Sequence, residues 1–260
     1  MNFKTWYRYF LSNQSHFGHI DWTDTRPLTA TEREMISSSV RQFQRGEYSE
    51  GKHFLQFART MHDKNYVETI PLFIREEQDH SSVLGQFMEI HQIDKLKEHW
   101  LDDVFRGLRK LAGLEGLVTV LLTAEMISMV YYKALNRATG SVLLQKICKQ
   151  ILKDEAMHLR FQSYSLRVLY QRKKRIAVLF SALLHRILMA GTIVTVWCCH
   201  KKVVRAGGYH FLSFSRDVWK EFRKCKKMIR NERPCMPIFN DKSRQAKVFV
   251  DENILNRHHA

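Results

Sequence analysis

The chain has 260 residues, 45% of them apolar, and only four prolines, which suits one sizeable folded core and excludes a disordered polymer. Its formal charge of +16 is unevenly placed: residues 1–160 carry 21 Lys+Arg against 20 Asp+Glu, whereas residues 161–260 carry 21 against 6. The five cysteines (148, 198, 199, 225 and 235) are odd in number and lack a Cys-x-x-Cys spacing, which argues against a disulfide framework and against a zinc or rubredoxin-type iron site.

Met1 to Trp6 lacks a long apolar core followed by a small-residue cleavage site, so no secretory signal is read and a reducing, cytoplasmic setting is expected. Thr31-Glu32-Arg33-Glu34 has the form of a capping box and is expected to open the first helix. Gly46 marks a break or kink in that helix, which is expected to continue to about Met61. Asp63-Lys64-Asn65 reads as a tight turn capping a second helix from about Tyr66 to His91, with Pro71 inside it. Asp94 to Ala112 places Leu96, Trp100, Leu101, Phe105 and Leu108 at helical intervals, the pattern of a crossover helix. A third helix is expected from about Leu114 to Asn136 and a fourth from Val142 to Gln171, with Ala138-Thr139-Gly140-Ser141 as the turn between them.

From Gln171-Arg172-Lys173-Lys174-Arg175 onward the character changes. Ile176 to Cys199 is 24 residues long and strongly apolar, long enough to cross a bilayer, but His185-Arg186 falls near its middle, where charge is costly. A fifth helix packed on the bundle is the first expectation, an interfacial membrane helix the second, and a true span the third. Phe211 to Arg233 mixes Phe214, Trp219 and Phe222 with many basic side chains, suited to anionic lipid, nucleic acid or an acidic carrier protein, or to a solvated basic face. The residues from about Pro237 read as a loosely held tail. The chain is thus divided at 172/173, a bundle with its N-terminal lead-in followed by an apolar helix and basic extension.

One pattern occurs twice. Glu77-Gln78-Asp79-His80 and Glu155-Ala156-Met157-His158 each place a carboxylate and an imidazole three residues apart, on one helix face. Each is preceded, at the same interval of 30 residues, by a lone acid, Glu47 or Glu125. The first pair is centred on position 62 and the second on Gly140, both in turns, so each lone Glu faces its partner across an antiparallel hairpin. Two helices bearing Glu-x-x-His and two bearing single inward acids make the ligand set of a dinuclear metal site within a four-helix bundle.

A single Glu-x-x-His is a weak signal, common on solvated helices. Glu125 lies in the apolar run Leu117 to Tyr132, where a carboxylate is costly unless paired, neutralised or metal-bound, so a buried salt bridge ranks below ligation there. Glu50, one turn from Glu47, competes with it as the fourth carboxylate. Glu76 and Asp154 each precede a motif Glu, either as acceptors that orient ligand imidazoles or as solvated acids. Tyr131 and Tyr132 follow Glu125 by about two turns; core packing is expected of them, with Tyr132 as a candidate donor beside the metals. His53, His62, His91 and His99 have no partner pattern.

Over residues 31–172, Glu-Glu-Gln-Asp-His at 76–80 and Asp-Glu-Ala-Met-His at 154–158 resemble the paired motifs of the ferritin-like di-iron carboxylate superfamily, which includes rubrerythrins, acyl-carrier-protein desaturases and di-iron oxygenases. The resemblance implies an all-α, ferritin-like four-helix bundle with a crossover helix. It also implies two iron ions, with manganese as an occasional substitute, held by Glu47, Glu77, His80, Glu125, Glu155 and His158. The expected function is oxidoreductase chemistry with dioxygen or peroxide, acting on an organic substrate and supplied by an electron donor. Ferroxidase or peroxide-scavenging activity is the second expectation, and a non-catalytic, iron-binding or membrane-associated interaction protein the third. An anionic membrane surface, an acidic carrier protein and a second copy of the chain are the candidate macromolecular partners.

Overall fold

The computed structural model describes residues 2–48, 51–96, 113–232 and 234–235, and among them all regular structure is helical. The elements are α1 (Phe3–Ser12), α2 (Ala30–Glu47), α3 (Lys52–Ala58) with a 3-10 turn at Arg59–Met61, α4 (Lys64–Ile90), α5 (Gly113–Ala138), α6 (Val142–Gln171), α7 (Arg175–Ala206) and α8 (Phe211–Ile229). Most of the crossover reading at Asp94–Ala112, the tail from Pro237 and the competing ligand Glu50 fall outside the described residues.

Short polar side chains start these helices by accepting from backbone N–H groups that have no intrahelical partner. Asn2 accepts from Thr5, Asp63 from Tyr66, Ser141 from Leu144, and His210 from Ser213. For α2 the cap is Thr29, accepting from the Glu32 amide, not the expected Thr31, which lies within the helix. Nor does that helix run on to Met61. It stops at Glu47, and Gly51 takes the left-handed region at φ 69° before α3 begins. A side chain at position 51 would also collide with Ile74, so glycine is required there on two grounds. The second helix does pass through Pro71, and the fourth spans Val142–Gln171 as expected.

α4 packs against α1 and α2, α5 against α6, and α6 reaches α4. Two polar ties fix how the hairpins lie. Glu32 near the start of α2 accepts from Thr139 Oγ1 (2.5 Å) and the Gly140 amide (2.9 Å) in the α5–α6 turn. At the opposite end, Arg172 just beyond α6 donates to the Met61 carbonyl at 3.2 Å, beside the turn into α4. Between these ends α2, α4, α5 and α6 enclose a core that includes Ile36, Val40, Ile70, Phe73, Leu122, Met126, Ile151 and Phe161.

α1 was not among the expected helices, although Phe3, Trp6, Tyr9 and Phe10 recur at helical spacing. Its face of Phe3, Trp6, Tyr9 and Phe10 is buried, and Trp6 and Phe10 contact Phe161 of α6. α7 lies on α5 and α2, and α8 on α6 and α5. α5 and α7 are both long and apolar enough to cross a membrane, but they differ in surroundings: the apolar window of α5 is 61% buried in protein, that of α7 only 22%.

Candidate metal centre

Glu47 is the last residue of α2, Glu77 and His80 lie in the second half of α4, Glu125 in the middle of α5, and Glu155 and His158 midway along α6. Their side chains converge. Glu47, Glu77, His80 and Glu155 form one group whose ligand-type atoms lie within 4.8 Å of one another, and Glu77, Glu125, Glu155 and His158 form a second. Glu77 and Glu155 belong to both. All six expected residues are therefore brought together, in two overlapping sets rather than one.

Both imidazoles turn Nδ1 toward this cluster. His158 Nδ1 lies 2.7 Å from Glu77 Oε1, 3.3 Å from Glu125 Oε2 and 3.6 Å from Glu155 Oε2, while His80 Nδ1 is 3.8 Å from Glu155 Oε1. The opposite nitrogens are held by acids. His158 Nε2 donates to Glu76 Oε1 at 3.1 Å and His80 Nε2 to Asp154 Oδ2 at 3.3 Å. Glu76 and Asp154, candidates for this role or for plain solvation, are both buried and orient the imidazoles.

Tyr132 donates to Glu47 Oε1 at 2.6 Å, whereas Tyr131 turns away to Ser39 Oγ at 2.8 Å. Phe73 and Phe10 face the His158 ring at 4.7 and 6.0 Å, and Phe17 meets the His80 ring edge-on at 5.8 Å. Aromatic carbon thus flanks both imidazoles.

Packing four carboxylates here costs free energy in the absence of counter-charge. Burial, then the charges of Glu155 and Glu77, pushes the Glu47 carboxyl far above its usual range. Burial followed by Glu125 does the same to Glu155, and burial followed by Glu77 raises Glu125. For the imidazoles burial acts the other way and is outweighed: Asp154, Glu77 and Glu155 lift His80 to about 10, and Glu125 and Glu77 raise His158. Burial opposes ionisation of Asp154, but its bond to His80 holds it below the ordinary carboxylate range.

The donor set fits a pair of cations. Glu77 Oε1, Glu125 Oε2, Glu155 Oε2, His80 Nδ1 and His158 Nδ1 are buried and make no well-aligned hydrogen bond, although His158 Nδ1 lies 2.7 Å from Glu77 Oε1. Like-charged carboxylates held this close are costly unless counter-charge, a proton on an imidazole or a bound cation, offsets them. Two divalent ions would also balance the four carboxylate charges.

Three residues with no motif complete the surroundings. Asn13, just after α1, donates through Nδ2 to both Glu76 Oε2 (3.0 Å) and Asp154 Oδ1 (3.3 Å). Gln150 donates to the same Asp154 oxygen at 2.9 Å. His16 Nδ1 bonds the Asn13 carbonyl at 2.9 Å and approaches Glu76 Oε2 at 3.8 Å, and His16 forms a third close group with His80 and Asp154. Gln150 was visible as the residue one helical turn before Asp154; Asn13 and His16 had no periodic signal. No protein-family model matches the chain, and no curated protein or solved structure does so either.

Proposed function

We propose that the protein is a ferritin-like, dinuclear carboxylate metalloprotein with two iron ions as its resident metals, and that it is an oxidoreductase of dioxygen or peroxide acting on an organic substrate. One observation carries the reading: two four-residue ligand groups share Glu77 and Glu155, bringing four carboxylates and the Nδ1 atoms of two imidazoles together. Mixed carboxylate and imidazole donors suit Fe(II), and Mn(II) as a substitute.

Glu47 and His80 would hold one ion, Glu125 and His158 the other, with Glu77 and Glu155 placed between them. When bound, the pair supplies two-electron redox chemistry toward dioxygen or peroxide. The remaining work belongs to the chain. Glu76 and Asp154 accept from Nε2 of the two imidazoles, so that Nδ1, once its proton is displaced by a cation, would be the ligating atom. The Tyr132 hydroxyl holds a proton 2.6 Å from Glu47 Oε1, so it restrains that carboxylate and can donate to a neighbouring oxygen. Phe10, Phe17 and Phe73 exclude water from the imidazoles.

The same aromatic rings favour a second reading, ferroxidase or peroxide-scavenging activity, because small reactants pass between such rings more readily than a bulky organic molecule. Anaerobic Fe(II) titration followed by oxygen exposure tests both. The proposal expects two Fe(II) per chain and diferric absorption after oxygen. Repeated oxygen consumption driven by added Fe(II) alone selects the ferroxidase reading. A chain that takes up no transition metal ends both.

A further inference from the structure

α7 presents apolar residues to water. Ile176, Leu179, Phe180, Leu183, Ile187 and Val194 recur at helical spacing along one stripe and are 51–81% exposed. With exposed Cys198 the stripe is about 33 Å long at the α-helical rise of 1.5 Å per residue. The opposite face is buried: His185, Met189, Ile193, Val196 and Val203 pack into the protein, with the His185 ring 4.9 Å from Phe222 of α8. Apolar faces on both sides explain how this helix reaches the composition of a membrane span while one side belongs to the protein core.

Beside the N-terminal half of the stripe, α6, α7 and α8 enclose a cavity of about 630 Å³. Six cations line it: Arg167, Lys173, Arg175, Arg186, Lys226 and Arg230, with no acid in the lining. Lys173 is paired with Glu115, and Arg230 Nη1 lies 3.9 Å from Glu232 Oε1, just outside the lining. Burial, then the charges of Arg186 and Arg230, holds Lys226 below its usual range. Leu179 belongs to both the cavity and the stripe, so the two are continuous.

Charge selects the occupant. Lys174 and Arg175 sit at one end of the stripe and Lys201, Lys202 and Arg205 at the other, all exposed; among the described residues Lys202 alone of these is near an acid, 3.2 Å from Glu34 Oε1. A second copy laid along the stripe, parallel or antiparallel, would bring cations against cations at both ends. Nucleic acid or an acidic protein would account for the cations and leave the apolar stripe in water. A lipid surface with anionic headgroups satisfies both, with apolar side chains in the acyl boundary and cations among the phosphates. A span is disfavoured because the inner face of α7 is already occupied by protein.

We propose that this face docks the protein on an anionic phospholipid bilayer, α7 lying in the plane of the interface and the neighbouring cavity holding a phosphate-bearing headgroup. The inference is independent of what the metal cluster does.

The test is sedimentation of the full chain with vesicles of phosphatidylcholine alone or mixed with phosphatidylglycerol. Binding to the mixed vesicles is expected to be at least about tenfold stronger than to neutral ones and to weaken with added salt, as screened cation–headgroup contacts require. The double variant L183E/I187E changes exposed positions only, so it should keep the wild-type circular dichroism and melting curve while losing about tenfold or more in binding. R186E/K226E should lose the preference for anionic lipid. Four results would overturn the proposal: no binding to mixed vesicles; undiminished binding by L183E/I187E; resistance of the bound protein to alkaline extraction, which marks a span; or a dimer that L183E/I187E dissociates and that ignores vesicles.

Discussion

His158 Nε2 lies 3.1 Å from Glu76 Oε1, so the acid beside the first Glu-x-x-His motif orients the imidazole of the second. The reverse pairing is also present, Asp154 with His80 at 3.3 Å. Each acid is four residues before the histidine of its own helix yet bonds the one opposite. The two motif helices are thereby cross-braced through the groups that set imidazole orientation.

The crossing makes a position-specific prediction. Glu76→Gln should weaken the ion held by Glu125 and His158, and Asp154→Asn the ion held by Glu47 and His80, each by roughly 10–100-fold. Competition titration with Mn(II), resolving two sites per chain, checks it. If either variant weakened the site of its own helix instead, the cross-brace would not govern affinity.

Asn13 joins the two braces, donating to both Glu76 and Asp154. Asn13→Asp replaces a shared donor with a third negative charge against two buried acids, so it should weaken both ions together. Asn13→Ala should do so less, since it removes the bonds without adding repulsion. A metal titration in which Asn13→Asp matched the wild type would show that α1 merely covers the site.

The cluster should trade stability for metal binding. Burial and Glu77 disfavour the charged form of Glu125, so Glu125→Gln is expected to stabilise the metal-free protein. The wild type should instead gain about 4 kcal/mol from Fe(II) or Mn(II) at a thousandfold excess over Kd, a gain the variant loses in large part. Anaerobic thermal melts with and without metal give both numbers. A metal-free variant less stable than the wild type would mean that Glu125 is a structural acid.

Much of this arrangement was legible because it depends on two simple periods. Residues three apart share a helix face, and residues equidistant from a turn face each other, which together select Glu47, Glu77, His80, Glu125, Glu155 and His158. The same period explains why Tyr132 rather than Tyr131 is the candidate donor: it follows Glu125 by seven residues, two full turns, and so shares its face, while Tyr131 points toward Ser39. The cross-brace was not legible, since it depends on how α4 and α6 rotate against each other. Asn13 and His16 reach the site over 60 residues or more, from the turns just after α1. The break after Glu47 was only hinted at by Gly46 and Gly51. Composition likewise describes α7 as apolar without revealing that only 22% of its apolar window is buried.

His185 is a buried imidazole on α7 whose pKa burial lowers to about 4, and its Nε2 has no hydrogen-bond partner. The unfolded chain takes up this proton near 6.5, the folded chain only near 4. The contribution of a neutral His185 is therefore complete above pH 6.5 and is lost as pH falls to about 4, roughly 3 kcal/mol in all. His185→Leu, of similar bulk and without a titrating group, should flatten the stability curve by that amount in this window. Denaturant unfolding at pH 7, 5.5 and 4 for both proteins measures the difference. Parallel curves would mean that the ring is hydrated in the folded state.

The position of α7 rests on a close approach that only glycine allows. Gly207 ends the helix against Ala134 of α5, where an added Cβ would meet backbone, 2.6 Å from Cα and 2.7 Å from the carbonyl carbon. Its φ is an ordinary −76°, so the requirement is for space and not for a left-handed backbone. Backbone atoms cannot swing aside as a flexible side-chain tip can, so Gly207→Ala should cost about 1–3 kcal/mol through displacement of α7 from α5. Gly208→Ala is the informative neighbour, since an added Cβ there meets open space but φ is +85°. It should cost only the conformational strain, about 1–2 kcal/mol, without moving the helix. Hydrogen exchange separates the two. Gly207→Ala should speed exchange along the buried face of α7, around Val196, Val203 and Val204, while Gly208→Ala leaves that face protected. Equal protection in the two variants would show that the α5–α7 contact yields elsewhere.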